Sequence, residues 1–234
     1  MNDSAPWDVD TYHGKEATAA TASAKREWEQ NLPVGDFLDG SMFNEYDEAT
    51  RVAAMPTVVG TIDLSLFEYL AGDCPSSMNP SLFDVSGNLW RDAGLYEITD
   101  DVFQIRGDLA SVTLVRGATG WIVLDAGTSR PWTEQAWEFA MKHTPGGRDV
   151  PVSAVVYSHS HIDHFGGVKG LTSQDDVDAG RTEIIAPYGF MDEAVSENIL
   201  AGTAMGRRAQ YHFGQSLTVE RTGPVSRPRV SLFS

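Results

Sequence analysis

Three of the chain's six histidines, His159, His161 and His164, fall within six consecutive positions together with Asp163, in the stretch VVYSHSHIDHFGG. Neutral imidazole nitrogen and carboxylate oxygen are ordinary donors to zinc, which takes about four of them in tetrahedral geometry. In extended backbone, side chains two positions apart point the same way. His159 and His161 can therefore converge on one ion, whereas Asp163 and His164 must turn with the loop. That division suits two adjacent metal sites better than one. A lone histidine near a strand is usually a hydrogen-bonded core or surface group, but three in six positions with an aspartate between them do not fit that description. Ser158 and Ser160 are small neighbours that leave room. Gly166 and Gly167 are expected to let the backbone turn sharply beside the metals, because glycine lacks Cβ. His13, His143 and His212 stand alone and are not expected to be ligands.

The elements that must position this loop follow from patterning. PVSAVVYS is a short apolar, β-branched run that reads as a buried strand, and the histidines lie just beyond its carboxyl end, where open α/β sheets commonly place ligands. Upstream, LYEITDDVFQIRG and SVTLVRGATGWIVLDAG each read as a β-hairpin, the first turning at Asp100 and Asp101, the second between Gly117 and Gly120. TSRP then offers a hydroxyl cap and an early proline, and WTEQAWEFAMKH puts Trp132, Ala136, Trp137 and Ala140 on one helical face, expected to pack in the core. Downstream, TEIIAP is a further short strand. The stretch from Gly189 is long and mostly helical, with Met191, Val195 and Ile199 one turn apart. At the N-terminal side an Ala/Thr/Glu-rich run at residues 15–30 reads as helix within an arm that reaches to about residue 92.

Composition narrows the classes. With 234 residues, 41% of them hydrophobic, the chain has enough apolar surface for a sizeable core. A net charge of -16, with only Lys15, Lys25, Lys142 and Lys169 as lysines, argues against nonspecific nucleic-acid or anionic-membrane binding, both of which need a basic face. The single cysteine, Cys74, can form neither an internal disulfide nor, by itself, a thiolate metal site, and is expected to be partly buried. No window approaches the roughly 20 apolar residues of a membrane span. The N-terminus lacks the basic start and apolar core of a secretory signal, so a cytoplasmic location is the expectation.

HSHIDH resembles the H-x-H-x-D-H signature of the metallo-β-lactamase superfamily, and WIVLDAGTS resembles the strand and Asp-Gly turn that precede it there. The resemblance implies an α/β fold, the four-layer αββα sandwich with a dinuclear zinc site at its edge. NPSLF, GLYEITDDVFQIRG, TGWIVLD, YSHSHIDHFGGVKG and VSENILAGTAMGRRAQYHFG together are similar to the alkylsulfatase branch of that superfamily, from about Asn79 to Leu217. On this resemblance residues 1–92 form an N-terminal arm, 93–217 a partial metallo-β-lactamase-like domain, and 218–234 a divergent Arg/Pro/Ser tail.

What the resemblance implies for function is hydrolysis of an alkyl sulfate to an alcohol and inorganic sulfate by water held between two zinc ions. His159 and His161 would bind one ion and Asp163 and His164 the other, with Asp163 also orienting the water. Asp125 matches the superfamily's aspartate behind the site, holding a ligand histidine or the loop; an ordinary strand-end turn residue is the alternative. Arg207 and Arg208 could grip sulfate, but a positive helix end satisfying carbonyls and acids is the preferred expectation. In the family a bridging carboxylate and further Glu and His ligands come from well downstream, so the loop supplies half a site. The tail is expected to be a truncated or out-of-frame end. The sheet face of WIVLD and AVVYS would then lack its cover, favouring association such as a homodimer. Thr203 stands where the family favours Asn, and LDAGTS departs from its usual form, which bears on substrate preference. Two other readings compete: a different hydrolase of the same fold (lactonase, thioesterase or phosphodiesterase), and an inactive fragment that only binds metal.

Overall fold

A computed structural model of the chain describes residues 18–31, 51–60, 62–63, 65, 72–74, 83 and 93–213. The expectations for the tail at residues 218–234, for His13 and for most of the N-terminal arm lie outside these residues. Helix α1 spans Ala19–Asn31, overlapping the run at residues 15–30 expected to be helical and ending one residue beyond it. Three short strands follow, β1 (Arg51–Ala54), β2 (Val58–Val59) and β3 (Ile62–Asp63). The main body then contains β4 (Gly94–Thr99), β5 (Val102–Arg106), β6 (Val112–Arg116), β7 (Trp121–Leu124), helix α2 (Arg130–His143), β8 (Val152–Val156), the short helices α3 (Ile162–Phe165) and α4 (Gln174–Asp178), and β9 (Glu183–Ile185). Helix α5 (Phe190–Val195), a π-helical turn over Ser196–Leu200 and helix α6 (Gly202–Phe213) complete it.

Seven of the described strands make a mixed sheet in the order β1-β4-β5-β6-β7-β8-β9, and β2 pairs with β3 in a separate antiparallel pair. Both expected hairpins form: β4 pairs with β5 and β6 with β7, all antiparallel, and Gly117 N–H donates to Gly120 O (2.9 Å) across the second turn. From β7 onwards pairing is parallel, because α2 carries the chain back so that β8 runs alongside β7, and β9 alongside β8.

Cross-strand register sorts the side chains onto two faces. Phe103, Leu114, Val123 and Val155 are successive partners across β5, β6, β7 and β8, and all are essentially inaccessible. Helix α2 covers this face with Trp132, Ala136, Phe139 and Ala140, so the tryptophan face of the helix is core, as patterning implies. Phe103 meets Trp121 edge to face, ring centroids 5.9 Å apart. The opposite row runs through Gln104, Thr113, Leu124, Val156 and Ile185, and here Leu124 and Ile185 are 39% and 42% exposed.

One local expectation is corrected. Pro131 does open α2, but Ser129 at its N-cap makes no side-chain capping bond, so the hydroxyl there does not cap the helix. Met191, Val195 and Ile199 are 68%, 38% and 71% exposed, and a π turn over Ser196–Leu200 interrupts the regular helix expected there. Among the described residues no helix is long and apolar enough to cross a membrane.

Candidate metal centre

Parallel pairing of β7 with β8 brings the two strands' carboxyl ends side by side, so residues 33 to 39 apart in sequence meet. Asp125 N–H donates to Val156 O (2.9 Å), which seats Asp125 next to the start of the histidine loop. Two more backbone bonds stitch the strand ends together: Ala126 N–H to His164 O (2.8 Å) and Gly167 N–H to Gly127 O (2.9 Å). Gly166 and Gly167 have φ of -62° and -89°, ordinary for any residue, so the expected sharp glycine turn is not what they provide. Their need is space. A Cβ on Gly166 would run into Thr128 O, and one on Gly167 into Thr133 Oγ1 and Ala126 O.

Asp125 is the chain's non-glycine residue with positive φ among those described, at 61°. Such backbone costs on the order of 1 kcal/mol or more, although aspartate tolerates it better than most residues. Three hydrogen bonds offset the cost. Oδ1 accepts from Ser158 N–H (2.8 Å), and Oδ2 accepts from Ser158 Oγ–H (2.8 Å) and from His164 Nδ1–H (2.7 Å). A carboxylate only accepts, so Nδ1 of His164 carries a proton and Nε2 is the ring nitrogen with a lone pair to offer when the ring is neutral.

The four donors of the loop face one another in two pairs. His159 Nε2 lies 3.0 Å from His161 Nδ1, and His164 Nε2 lies 3.4 Å from Asp163 Oδ2. Two ligands at 2.0–2.1 Å from a tetrahedral zinc are about 3.3 Å apart, so each pair is spaced like one edge of such a site. The rings of His159 and His164 pack at 3.9 Å between centroids, tilted 48° to each other, which sets the pairs side by side. Asp163 and His164 reach their positions by turning with α3; His161 just before it has extended backbone, but His159 lies in a bend over residues 158–160, so the continuous extended stretch expected for the two histidines does not form. No third His, Cys, Asp or Glu joins either pair to complete a metal-binding group among the described residues.

Behind each imidazole stands a second group. Ser158 Oγ is 2.9 Å from His159 Nδ1, Asp125 backs His164, and Glu197 Oε1 lies 3.5 Å from His161 Nε2. Sequence reading passed over Glu197, which sits 33 residues past the loop with no periodic signal to mark it. It also passed over Asp108. This buried carboxylate accepts from Leu109 N–H (2.8 Å), Thr128 N–H (2.7 Å) and Thr128 Oγ–H (2.9 Å), tying the β5–β6 loop to the segment after β7. Burial pushes its pKa above the ordinary 3.8 against the pull of those bonds, and the negative charge of Asp163 adds to the rise. Burial likewise pushes the Tyr157 phenol up to about 12, which removes it as a proton carrier near neutrality.

The remaining candidates fall outside this centre. His143 packs its ring on Phe139 at 5.0 Å. Arg207 and Arg208 are exposed in the middle of α6, not at a helix end, which corrects the capping expectation. Cys74 is half-buried.

Comparison with known proteins gives a consistent picture. The family described as "Metallo-beta-lactamase superfamily" matches residues 105–229, which carries the match past residue 217. An (R)-specific secondary-alkylsulfatase from Pseudomonas sp is 38% identical over 216 residues, covering 88% of this chain and 31% of that protein. A linear primary-alkylsulfatase from Pseudomonas sp is 43% identical over 152 residues, covering 64% of this chain and 22% of its own length. Among solved structures, the stereoselective inverting sec-alkylsulfatase Pisa1 from Pseudomonas sp superposes with a TM-score of 0.73 at 38% identity, covering 89% of this chain and 32% of that one. The chain thus spans about a third or less of the length of these relatives.

Proposed function

The chain belongs to the metallo-beta-lactamase superfamily, and on that basis we propose that it carries the histidine-loop part of a zinc-dependent hydrolase of the alkylsulfatase type. The proposed substrate is an alkyl sulfate ester, and the products are an alcohol and inorganic sulfate. One observation carries the reading: two pairs of metal-ligating side chains face each other at 3.0 and 3.4 Å, about the spacing of two ligands on one zinc ion. The alkylsulfatases it resembles supply the substrate class.

Two zinc ions are the proposed cofactors. His159 and His161 would hold one, and Asp163 and His164 the other. What zinc supplies when bound is a nucleophile at neutral pH, the pKa of a coordinated water falling from 15.7 to about 7. The chain's own residues do the rest. Asp163 would orient the attacking water, Asp125 keeps His164 in the tautomer whose Nε2 faces inward, and Ser158 Oγ relays the same carboxylate to His159. Two donors per ion fall short of the about four that zinc takes, so the other positions are left to water, to substrate oxygens or to donors beyond the described residues.

The experiment is release of inorganic sulfate from dodecyl sulfate by the purified chain with zinc supplied, beside a lactone and a thioester, with His161→Ala as control. Sulfate release that disappears in the control is the expected result. Turnover of the lactone or thioester without sulfate release would replace the alkylsulfatase reading with another hydrolase of the fold. No turnover of any substrate by soluble, zinc-bound protein would reduce the function of this polypeptide to metal binding.

A further inference from the structure

Of the three groups that back the histidines, two are local to the joined strand ends, and the third, Glu197, arrives through an irregularity. Between α5 and α6 the helix widens to a π turn over Ser196–Leu200, in which Ala201 N–H donates to Ser196 O five residues back (2.8 Å). Asn198 Nδ2 donates to Ala194 O (2.8 Å) on the same turn. The widened turn points the Glu197 carboxylate inward, its side chain only 24% exposed, while Ile199 and Leu200 are 71% and 79% exposed. Single π turns of this kind occur often at functional sites.

We propose that Glu197 is a positioning residue for the metal centre, holding the His161 proton on Nε2 so that Nδ1 stays a bare lone pair facing His159 Nε2. The other tautomer, with the proton on Nδ1, would donate across the 3.0 Å gap to His159 Nε2. That hydrogen bond would close the pair upon itself at the place where an ion would sit. Asp125 excludes the corresponding closure at His164 by taking its Nδ1–H, and Glu197 does for His161 what the local loop cannot. The inference rests on reading His159 and His161 as metal donors.

The test uses the full 234-residue chain with 15N-labelled histidine, wild type against Glu197→Ala. Long-range proton–nitrogen spectra of the metal-free protein report the His161 tautomer, and a zinc titration against a competing chelator reports affinity. The wild type is expected to show His161 with its proton on Nε2. Glu197→Ala is expected to populate the Nδ1–H form and to bind zinc 10–100-fold more weakly, the usual cost of losing such a partner. An unchanged tautomer, or unchanged affinity, in Glu197→Ala would overturn the proposal. A wild type that takes up no zinc while the tautomer still responds to Glu197 would instead sink the metal reading and leave the hold on His161 standing. Should the alanine variant fold poorly, Glu197→Gln gives the same comparison, with a smaller shift in the same direction expected.

Discussion

Replacing Asp125 by Asn tests the link between strand end and metal centre with little else disturbed. Asn tolerates the positive φ of 61° about as well as Asp, so the backbone has no reason to move. What changes is the number of acceptors. The carboxylate accepts Ser158 N–H on one oxygen and both Ser158 Oγ–H and His164 Nδ1–H on the other, whereas an amide offers one oxygen and one NH2. Whichever way the amide sits, its NH2 confronts a donor, either the Ser158 backbone or His164. The loss is one hydrogen bond to a charged group, about 1.5–3 kcal/mol. If that hydrogen bond exists to fix His164 with Nε2 inward, the same energy is lost from metal binding, which at about 1.4 kcal/mol per decade is a factor of about 10 to 150. Zinc affinity measured against a competing chelator should fall by that factor, while circular dichroism shows the fold retained. Affinity within twofold of wild type, with the fold intact, would refute the argument that Asp125 acts through His164.

Three further outcomes follow from the packing around the centre. Asp108 has its folded-state pKa raised by burial, so the fold gains stability by taking up a proton as pH falls through that raised value and loses it as pH rises; the melting temperature of wild type relative to Asp108→Asn should therefore shift in the wild type's favour between pH 7 and pH 4, and a flat or opposite difference would contradict the sign. Gly167→Ala would drive a methyl into Thr133 Oγ1 and Ala126 O; overpacking of this kind costs about 1–3 kcal/mol, so calorimetry should find the melting point lower by about 2–12 °C. His143→Ala should leave zinc stoichiometry unchanged and cost under about 1.5 kcal/mol, because its ring only packs on Phe139; a lost equivalent of metal in atomic absorption would show that the ligand set is wrong.

The parts of this centre legible in the sequence are those that local chemistry writes locally. Three histidines and an aspartate in six positions after an apolar β-branched run mark both the loop and the end of a buried strand. The hairpins and the tryptophan face of α2 were likewise readable from alternation and helical spacing. Asp125 was suggested by the resemblance of WIVLDAGTS to the superfamily, but its three bonds depend on β7 and β8 lying parallel, which no pattern within either strand specifies. Gly166 and Gly167 were read as turn residues, and only the packing of Thr128, Ala126 and Thr133 against them reveals a steric reason. Glu197 was illegible for a different cause. A π turn depends on a helix absorbing one extra residue, and nothing in SENIL distinguishes that from a regular turn, which would have carried the carboxylate elsewhere. Arg207 and Arg208 stand in the middle of α6, which begins at Gly202 and continues through Gly206 to Phe213.

If the loop holds metal as the two facing pairs proposed, zinc stoichiometry by mass spectrometry under non-denaturing conditions shows it most directly. Wild type should bind two equivalents. Removing one pair, by His159→Ala with His161→Ala or by Asp163→Ala with His164→Ala, should leave one equivalent in each case. A wild type that binds no zinc, or a single equivalent abolished by both double variants, would contradict the paired arrangement.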